Sequence, residues 1–185
     1  MGRLDDELLF IVLAVITAAT ALNLFLTLRL AAILRGGAER APQLERGAAL
    51  PEFDGLRQSN GGTLRSAELA GQAAVLVFLS PACPACAGKV AELDRILPAI
   101  RSAEIALWIA AGDGTHDLGE LLRGTPLTEH ALALEENARL ALNPARAVPF
   151  YIFVDDRRIV QASGYIGDPD WRSFIAQMDE IAATA

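Results

Sequence analysis

The sequence predicts an α/β domain with a central mixed sheet flanked by helices, preceded by one N-terminal transmembrane helix. Three observations lead to this prediction: an uncharged apolar run near the N-terminus, two apolar segments separated by an amphipathic one, and two β-rich segments before a final helix. The chain has 185 residues, more than the roughly 100 to 150 of a common domain, so we expect one domain with an appendage.

The first element is the run "LLFIVLAVITAATALNLFLTL" from Leu8 to Leu28, which contains no charged residue. At about 1.5 Å per residue, a helix of this length spans the roughly 30 Å hydrocarbon core of a bilayer. An acidic leader and the lack of a convincing cleavage site argue against a cleavable signal peptide. We therefore predict a membrane anchor over residues 1–35, a flexible tether over 36–49 and a folded domain over 50–185.

One face of the anchor is polar, because Thr17, Thr20, Asn23 and Thr27 recur at helical spacing. Threonine hydroxyls commonly bond back to their own helix, whereas an asparagine amide in hydrocarbon is costly without a partner. We expect this face, through Thr20, Asn23 and Thr27, to pack against another membrane helix, either a second copy or an integral membrane redox partner.

Charge excludes one class of function and bears on topology. The chain has a net charge of −7 and no basic stripe, so no nucleic-acid partner is expected. More arginines follow the apolar run than precede it. Under the positive-inside rule this asymmetry places the domain in the cytoplasm.

The folded part opens with a segment in which Asn60-Gly61 marks a turn. Residues 73–80, "AAVLVFLS", and 105–112, "IALWIAAG", are apolar runs typical of strands buried on both faces. Between them, apolar side chains recur at the spacing of an amphipathic helix: Val90, Leu93, Ile96, Leu97 and Ile100. A strand, a helix and a second strand predict a βαβ unit with a parallel strand pair.

The later elements are shorter. "DLGELLRG" and "ENARLAL" predict a short helix and a helical turn, and "ALALEEN" predicts a short strand. "PFYIFVDD" and "RIVQASGYI" are β-rich and predict a hairpin. The last helix has a clear start signal, since Asp168 suits the N-cap and Pro169 the first helical position.

Both cysteines of the chain, Cys83 and Cys86, stand in "SPACPACAG", where the first buried strand gives way to the helix. Pro84 suits the first helical position. The free N–H groups and partial positive charge of a helix start favour a thiolate at Cys83. Cys86 lies one turn on and on the same side. We therefore expect Cys83 to be the attacking thiol and Cys86 the resolving thiol.

Two other uses of the cysteine pair stay open. A structural zinc ion needs four ligands, and the chain adds only His116 and His130, without the usual close spacing. A disulfide that closes so short a loop stabilises the fold little. We expect no metal and no cofactor, other than a redox-active Cys83–Cys86 disulfide.

Two long segments carry a family resemblance. "LPEFDGLRQSNGGTLRSAELAGQAAVLVFLSPACPAC" and "LALEENARLALNPARAVPFYIFVDDRRIVQASGYIG" resemble the two halves of TlpA-like membrane-anchored thioredoxins. Within that group, "FLSPACPAC" is most similar to the methylamine-utilisation proteins of the MauD type. The resemblance implies a thioredoxin fold, an anchor in the inner membrane and thiol-disulfide exchange on protein clients in the periplasm. It also implies the disulfide-rich small subunit of methylamine dehydrogenase as client.

The same resemblance implies that Pro149 is a cis-proline opposite the cysteines and that Val148 contacts the substrate. Without it, Pro149 could merely start a strand. The sequence also departs from the family, with Ala82 where tryptophan is usual. The strand before the cysteines carries no buried acid to accept the Cys86 proton. Water or Lys89 would then take this proton, although Lys89 is more typical of a solvated surface charge.

Two alternative functions remain. A peroxiredoxin-like peroxidase fits the S-x-x-C pattern from Ser80 to Cys83, but Leu76 stands where that family has a proline. A non-catalytic assembly factor could bind its client through the same groove. The periplasmic location implied by the resemblance conflicts with the positive-inside rule.

Overall fold

The computed structural model describes residues 13, 16–27, 43–114 and 117–184. The chain divides into two compact units, Met1–Arg40 and Ala41–Ala185. In the first unit residues 16–27 are helical, and the rest of the predicted anchor, apart from residue 13, lies outside the described residues. Among the residues that are described, no helix combines the length and apolar character needed to cross a membrane.

The threonines of the polar face bond within their own helix. The hydroxyls of Thr17, Thr20 and Thr27 each donate to the backbone oxygen four residues earlier at 2.8 Å. Thr27 also lies 3.3 Å from the side-chain oxygen of Asn23. The threonines therefore have local partners, as the simpler explanation of this pattern requires.

The described part of the second unit contains a seven-stranded mixed sheet. Its strands lie in the order β2-β1-β5-β4-β3-β6-β7. β3 pairs in parallel with β4, and β4 with β5, whereas the other neighbours are antiparallel. The strands are β1 (Asp54–Arg57), β2 (Thr63–Arg65), β3 (Ala74–Leu79), β4 (Ala106–Ala111), β5 (Ala131–Leu134), β6 (Phe150–Val154) and β7 (Val160–Tyr165).

In the described part of this unit four α-helices accompany the sheet: α1 (Pro84–Ser102), α2 (Gly119–Leu122), α3 (Glu136–Leu142) and α4 (Pro169–Thr184). Two short 3-10 helices span Ser66–Leu69 and Pro126–His130. Every predicted helix and strand of the domain is present in the predicted order. Most boundaries differ from the prediction by one or two residues, as the ends of helices and strands commonly do. The strand predicted over "ALALEEN" ends three residues early, at Leu134.

The central βαβ unit forms because its segments are apolar where the fold needs them to be. All six residues of β3 are buried, as expected of a strand covered on both faces. The five apolar positions predicted for the α1 face, Val90, Leu93, Ile96, Leu97 and Ile100, are buried too. β3 and β4 run in register from Ala74↔Ala106 to Leu79↔Ala111, so both strands end at the same edge.

One hydrophobic core lies on each side of the sheet. The first packs α1 and α4 on one face, through side chains such as Leu93 and Trp171. The second covers the other face and includes Phe53 and Phe78. A sheet buried on both faces explains why its central strands are continuous apolar runs rather than alternating ones.

Local signals in the sequence act as predicted. Gly61 adopts a φ of 71°, and the Asn60 side-chain oxygen accepts a hydrogen bond from Gly62 N at 2.9 Å. Asp168 caps α4, since its Oδ1 accepts from Trp171 N at 2.8 Å.

Part of the segment predicted as a tether bonds to the edge of the sheet. Gly47 N donates to Val160 O and Val160 N to Ala48 O, both at 2.8 Å. The Ser163 hydroxyl donates to Leu44 O, also at 2.8 Å. Residues 44–49 therefore lie along β7 and cover part of an edge strand, which natural sheets commonly protect. This pairing could not be predicted from the sequence, because a short segment that pairs through its backbone needs no apolar pattern.

Candidate active site

Cys83 lies at the start of α1. It is the N-cap residue, with an extended backbone (φ −98°, ψ 108°), and Pro84 follows as the first helical residue. Cys83 N donates to Ser80 O at 3.2 Å, and Cys86 N donates to Cys83 O at 3.0 Å. The Cys83 side chain is half-buried. The predicted position of Cys83 at a helix start is confirmed, and its role as the attacking thiol stays a prediction.

Cys86 is fully buried beneath Cys83, and their side chains form a hydrogen bond. Burial raises the pKa of the Cys86 thiol to about 12, together with its bond to Cys83 and the nearby charge of Asp113. A hydrogen bond with the Ser80 backbone acts in the opposite direction. Cys86 therefore holds its proton at neutral pH and needs an acceptor before it can attack.

The acid that is absent from β3 lies just after the neighbouring strand, β4. The buried Ser80 hydroxyl, just after β3, donates to Asp113, just after β4. Ser80 Oγ also accepts from Ala82 N at 3.0 Å. Because the Asp113 charge acts on the Cys86 thiol, its carboxylate belongs to the site. Sequence reasoning missed it by considering only the strand that leads to the cysteines.

The Val148–Pro149 peptide bond is cis, as the family resemblance implied. Phe150 pairs with Phe78, so Pro149 lies at the end of the sheet where β3 leads to the cysteines. Val148 and Cys83 both pack against the first core. The structure thus brings the two predicted substrate-contact residues to the cysteine end of the domain.

The Val148 side chain lies against Gly112. A Cβ atom built on Gly112 would stand 2.3 Å from Val148 Cγ1, far closer than any real contact. The side chain of Val148 therefore turns toward the loop after β4.

Lys89 has a partner other than the cysteines. Its ammonium lies 2.8 Å from a carboxylate oxygen of Glu92, whose other oxygen accepts from Trp171 Nε1 at 2.5 Å. Burial raises the pKa of Glu92, but the bonds from Lys89 and Trp171 hold it below its ordinary value. We expected Lys89 to be a freely solvated charge, and the structure instead pairs it with Glu92. Its ammonium is therefore bonded to a carboxylate and not to a cysteine thiol.

Of the two histidines considered for a zinc site, only His130 lies in the described part of the chain. His130 Nδ1 lies 3.0 Å from Leu107 O, and its ring packs edge-on against Trp108. His116 lies outside the described residues. Within the part of the chain that is described, no three His, Cys, Asp or Glu side chains are placed to hold a metal ion.

Solved structures share this architecture. The thioredoxin domain of a Bacteroides vulgatus thiol-disulfide oxidoreductase superposes with a TM-score of 0.57 at 15% identity, over 71% of this chain and 96% of that one. A thiol:disulfide interchange protein of the thioredoxin family from Chlorobium tepidum gives 0.59 at 16%, over 75% and 98%. MTB dsbF, in its mixed oxidized and reduced forms, gives 0.55 at 21%, over 72% and 96%.

No protein-family model matches the chain. No curated protein matches it either. The structural likeness establishes the fold: the described residues between 43 and 184 form a thioredoxin-like domain with a C-x-x-C pair at the start of its first long helix and a cis-proline beside it.

Proposed function

We propose that this chain is a thiol-disulfide oxidoreductase that acts on protein disulfides. One observation carries the proposal: a half-buried Cys83 at a helix start is hydrogen-bonded to a fully buried Cys86. Only the first thiol can meet a client, and only the second can reach the bond so formed. This division into attacking and resolving thiols is what disulfide exchange requires.

The reaction balances without a cofactor. The Cys83 thiolate attacks a client disulfide, forms a mixed disulfide and releases one client thiolate, which takes up a proton. Cys86 loses its proton and attacks the Cys83 sulfur, breaking the mixed disulfide and releasing the second client thiolate. The client gains two electrons and the enzyme holds a Cys83–Cys86 disulfide. The same steps in reverse oxidise a client dithiol.

Asp113 is the proposed proton acceptor for Cys86, held in place by the Ser80 hydroxyl. Asp113→Asn should slow the resolving step on the order of 100-fold, the usual loss when a general base is removed. If Asp113 acted only through its charge, its removal would lower the Cys86 pKa and speed the step. Rapid-mixing kinetics of mixed-disulfide decay against pH separate the two. Asp156→Asn, in an exposed turn, is the control.

The Val148 backbone and Pro149 form the proposed client groove. Its position beside the cysteine end supports main-chain pairing of an extended client segment with Val148. Such pairing would present a client disulfide to Cys83 while leaving the client's side chains variable.

Variants of the cysteines test the function. Cys86→Ala should trap a mixed disulfide between Cys83 and a client, whereas Cys83→Ala should trap none and exchange nothing. Retention of client maturation by both variants would instead favour the non-catalytic assembly factor. Equilibration with glutathione gives the reduction potential and hence the favoured direction.

The cellular setting is a separate proposal. The uncharged run from Leu8 to Leu28 supports an inner-membrane anchor. The periplasmic placement of the catalytic domain and the small subunit of methylamine dehydrogenase as client are proposed from the resemblance to MauD-type proteins. A reporter fused to the C-terminus tests the orientation, since a cytoplasmic signal would overturn it.

The anchor's polar face, through Thr20, Asn23 and Thr27, would bind an integral membrane redox partner or a second copy. Asn23→Leu should weaken co-purification of that partner. Thr27→Val is a milder control on the same face, because the Thr27 hydroxyl already has local partners. Unchanged recovery of the partner with Asn23→Leu would contradict the idea.

A further inference from the structure

Two buried polar side chains lie on the short helix α3 and at the residue that follows it. Arg139 on α3 is 2% exposed, and Asn143, just after the helix, is completely buried. Burying an arginine costs free energy unless its charge and donors are all satisfied. Arg139 does not meet this condition, because its Nε has no hydrogen-bond partner in the described structure. A buried charge with an unsatisfied donor often marks a functional constraint.

Arg139 holds the loop that carries Asp113. Its Nη1 donates to Gly112 O at 3.0 Å, and its Nη2 bonds to the Glu136 carboxylate. Gly112 immediately precedes Asp113, so this bond fixes the backbone on which the acid stands. The Ser80 hydroxyl, which donates to the Asp113 carboxylate, holds the side chain of Asp113.

Asn143 holds the loop that carries the cis-proline. Its Nδ2 donates to Ala147 O at 2.8 Å, and its Oδ1 accepts from Ala147 N at 2.9 Å. Glu136 adds a second connection, because its Oε1 accepts from Arg146 at 2.7 Å. Ala147 immediately precedes Val148, so α3 holds the client loop from behind.

The two loops also contact each other, since the Val148 side chain packs on Gly112. α3 therefore determines both sides of a contact between the acid-bearing loop and the client loop. We infer that Arg139 is a positioning residue that keeps Asp113 and the Val148 backbone in the arrangement needed to exchange protein disulfides. This inference rests on the proposed function and adds to it a residue distant from the thiols in sequence.

A comparison of two substrates tests the inference. The full-length chain, reduced beforehand so that it supplies the two electrons, would be assayed in single turnovers for kcat and KM with insulin, a protein disulfide that uses the groove, and with 5,5′-dithiobis(2-nitrobenzoate), a small disulfide that does not. Arg139→Met removes both contacts at similar volume and leaves no charge buried. We expect its kcat/KM for insulin to fall at least about tenfold more than that for the small disulfide.

The control is a second arginine in the same kind of pair. Arg123 bonds to Glu120 at the same spacing as Arg139 to Glu136, but Arg123 and Glu120 are both more than 70% exposed. Arg123→Met should leave the ratio of the two substrates within about twofold of the parent chain. Unlike Arg139→Met, Arg139→Lys keeps the positive charge but lacks the planar guanidinium. Its ratio of the two kcat/KM values should therefore lie between those of Arg139→Met and the parent chain.

The outcomes separate this inference from the proposed function. A parent chain that exchanges neither substrate would refute the function itself. Equal losses on both substrates would refute the role of Arg139 in positioning the Val148 backbone, and no loss on either substrate would refute its role altogether. If Arg139→Met does not fold, Glu136→Gln decides the matter, because it alters a half-exposed carboxylate and should shift the ratio in the same direction.

Discussion

Gly112→Ala is a sharp test of the contact between the two loops. The new Cβ would lie 2.3 Å from Val148 Cγ1 and 3.3 Å from both Ala147 O and Phe78 Cβ. Phe78 is fully buried in the sheet, and both hydrogen-bonding groups of Ala147 are held by Asn143. Val148 must therefore give way, by about 1 Å, to reach an ordinary carbon contact.

This displacement should affect stability and exchange together. Overpacking of this kind costs about 1 to 3 kcal/mol of the free energy of unfolding. A shift of about 1 Å in a group that positions the substrate can lower the rate on the order of 100-fold. We therefore expect Gly112→Ala to unfold at lower urea concentration and to lose most of its kcat/KM for insulin.

Gly88→Ala is the matched control within the same domain. Gly88 lies in α1, two residues after Cys86, and a Cβ there would meet nothing within 4 Å. Alanine in place of a helical glycine should stabilise the fold by roughly 0.5 to 1 kcal/mol and leave exchange unchanged. Urea unfolding and insulin reduction on both variants give the comparison. A Gly112→Ala chain as active as Gly88→Ala would refute the contact between the loops.

Three further predictions follow from single groups. At pH 8 a thiol of pKa about 12 is ionised in only about one molecule in 10⁴, so iodoacetamide should label Cys83 in the native chain and Cys86 only after unfolding; equal labelling would contradict this. Burial lowers the pKa of His130, so its contribution to stability is full above about pH 6.5 and is lost as pH falls through the lowered pKa. Urea unfolding should therefore show a weaker pH dependence between about pH 6.5 and 5 in His130→Gln, and an identical dependence would exclude His130 as its source. Gly164→Ala places a Cβ 2.2 Å from Asp168 Oδ2, so we expect loss of about 1 to 2 kcal/mol as the helix cap is displaced, with thiol exchange retained; unchanged stability would refute the crowding.

Much of the domain could be predicted because its signals are local. The apolar runs of β3 and β4, the spacing of α1 and the cap at Asp168 each depend on neighbours in sequence, and the structure has all of them. The cysteine pair is local too, so its position at a helix start followed from Pro84. The cis bond before Pro149 was different, because only the family resemblance implied it.

The missed contacts join segments distant in sequence. Arg139 bonds to Gly112 across 27 positions, and residue 44 meets Ser163 across 119. Nothing in "ENARLAL" marks its arginine as buried, since charged residues in short helices are usually exposed. Such contacts depend on the packing of α3 behind the sheet, which no periodicity in the chain specifies.

Asp113 is an intermediate case, and it could have been found. The sequence already predicts that the first two buried strands are parallel neighbours. Parallel strands that start in register end at one edge, and here Leu79 pairs with Ala111. The residues just beyond, Ser80 on one side and Gly112 with Asp113 on the other, must then meet beside the cysteines. Each βα turn of a parallel pair should therefore be searched together with its neighbour for acids, because a missing group in one strand can be supplied by the next.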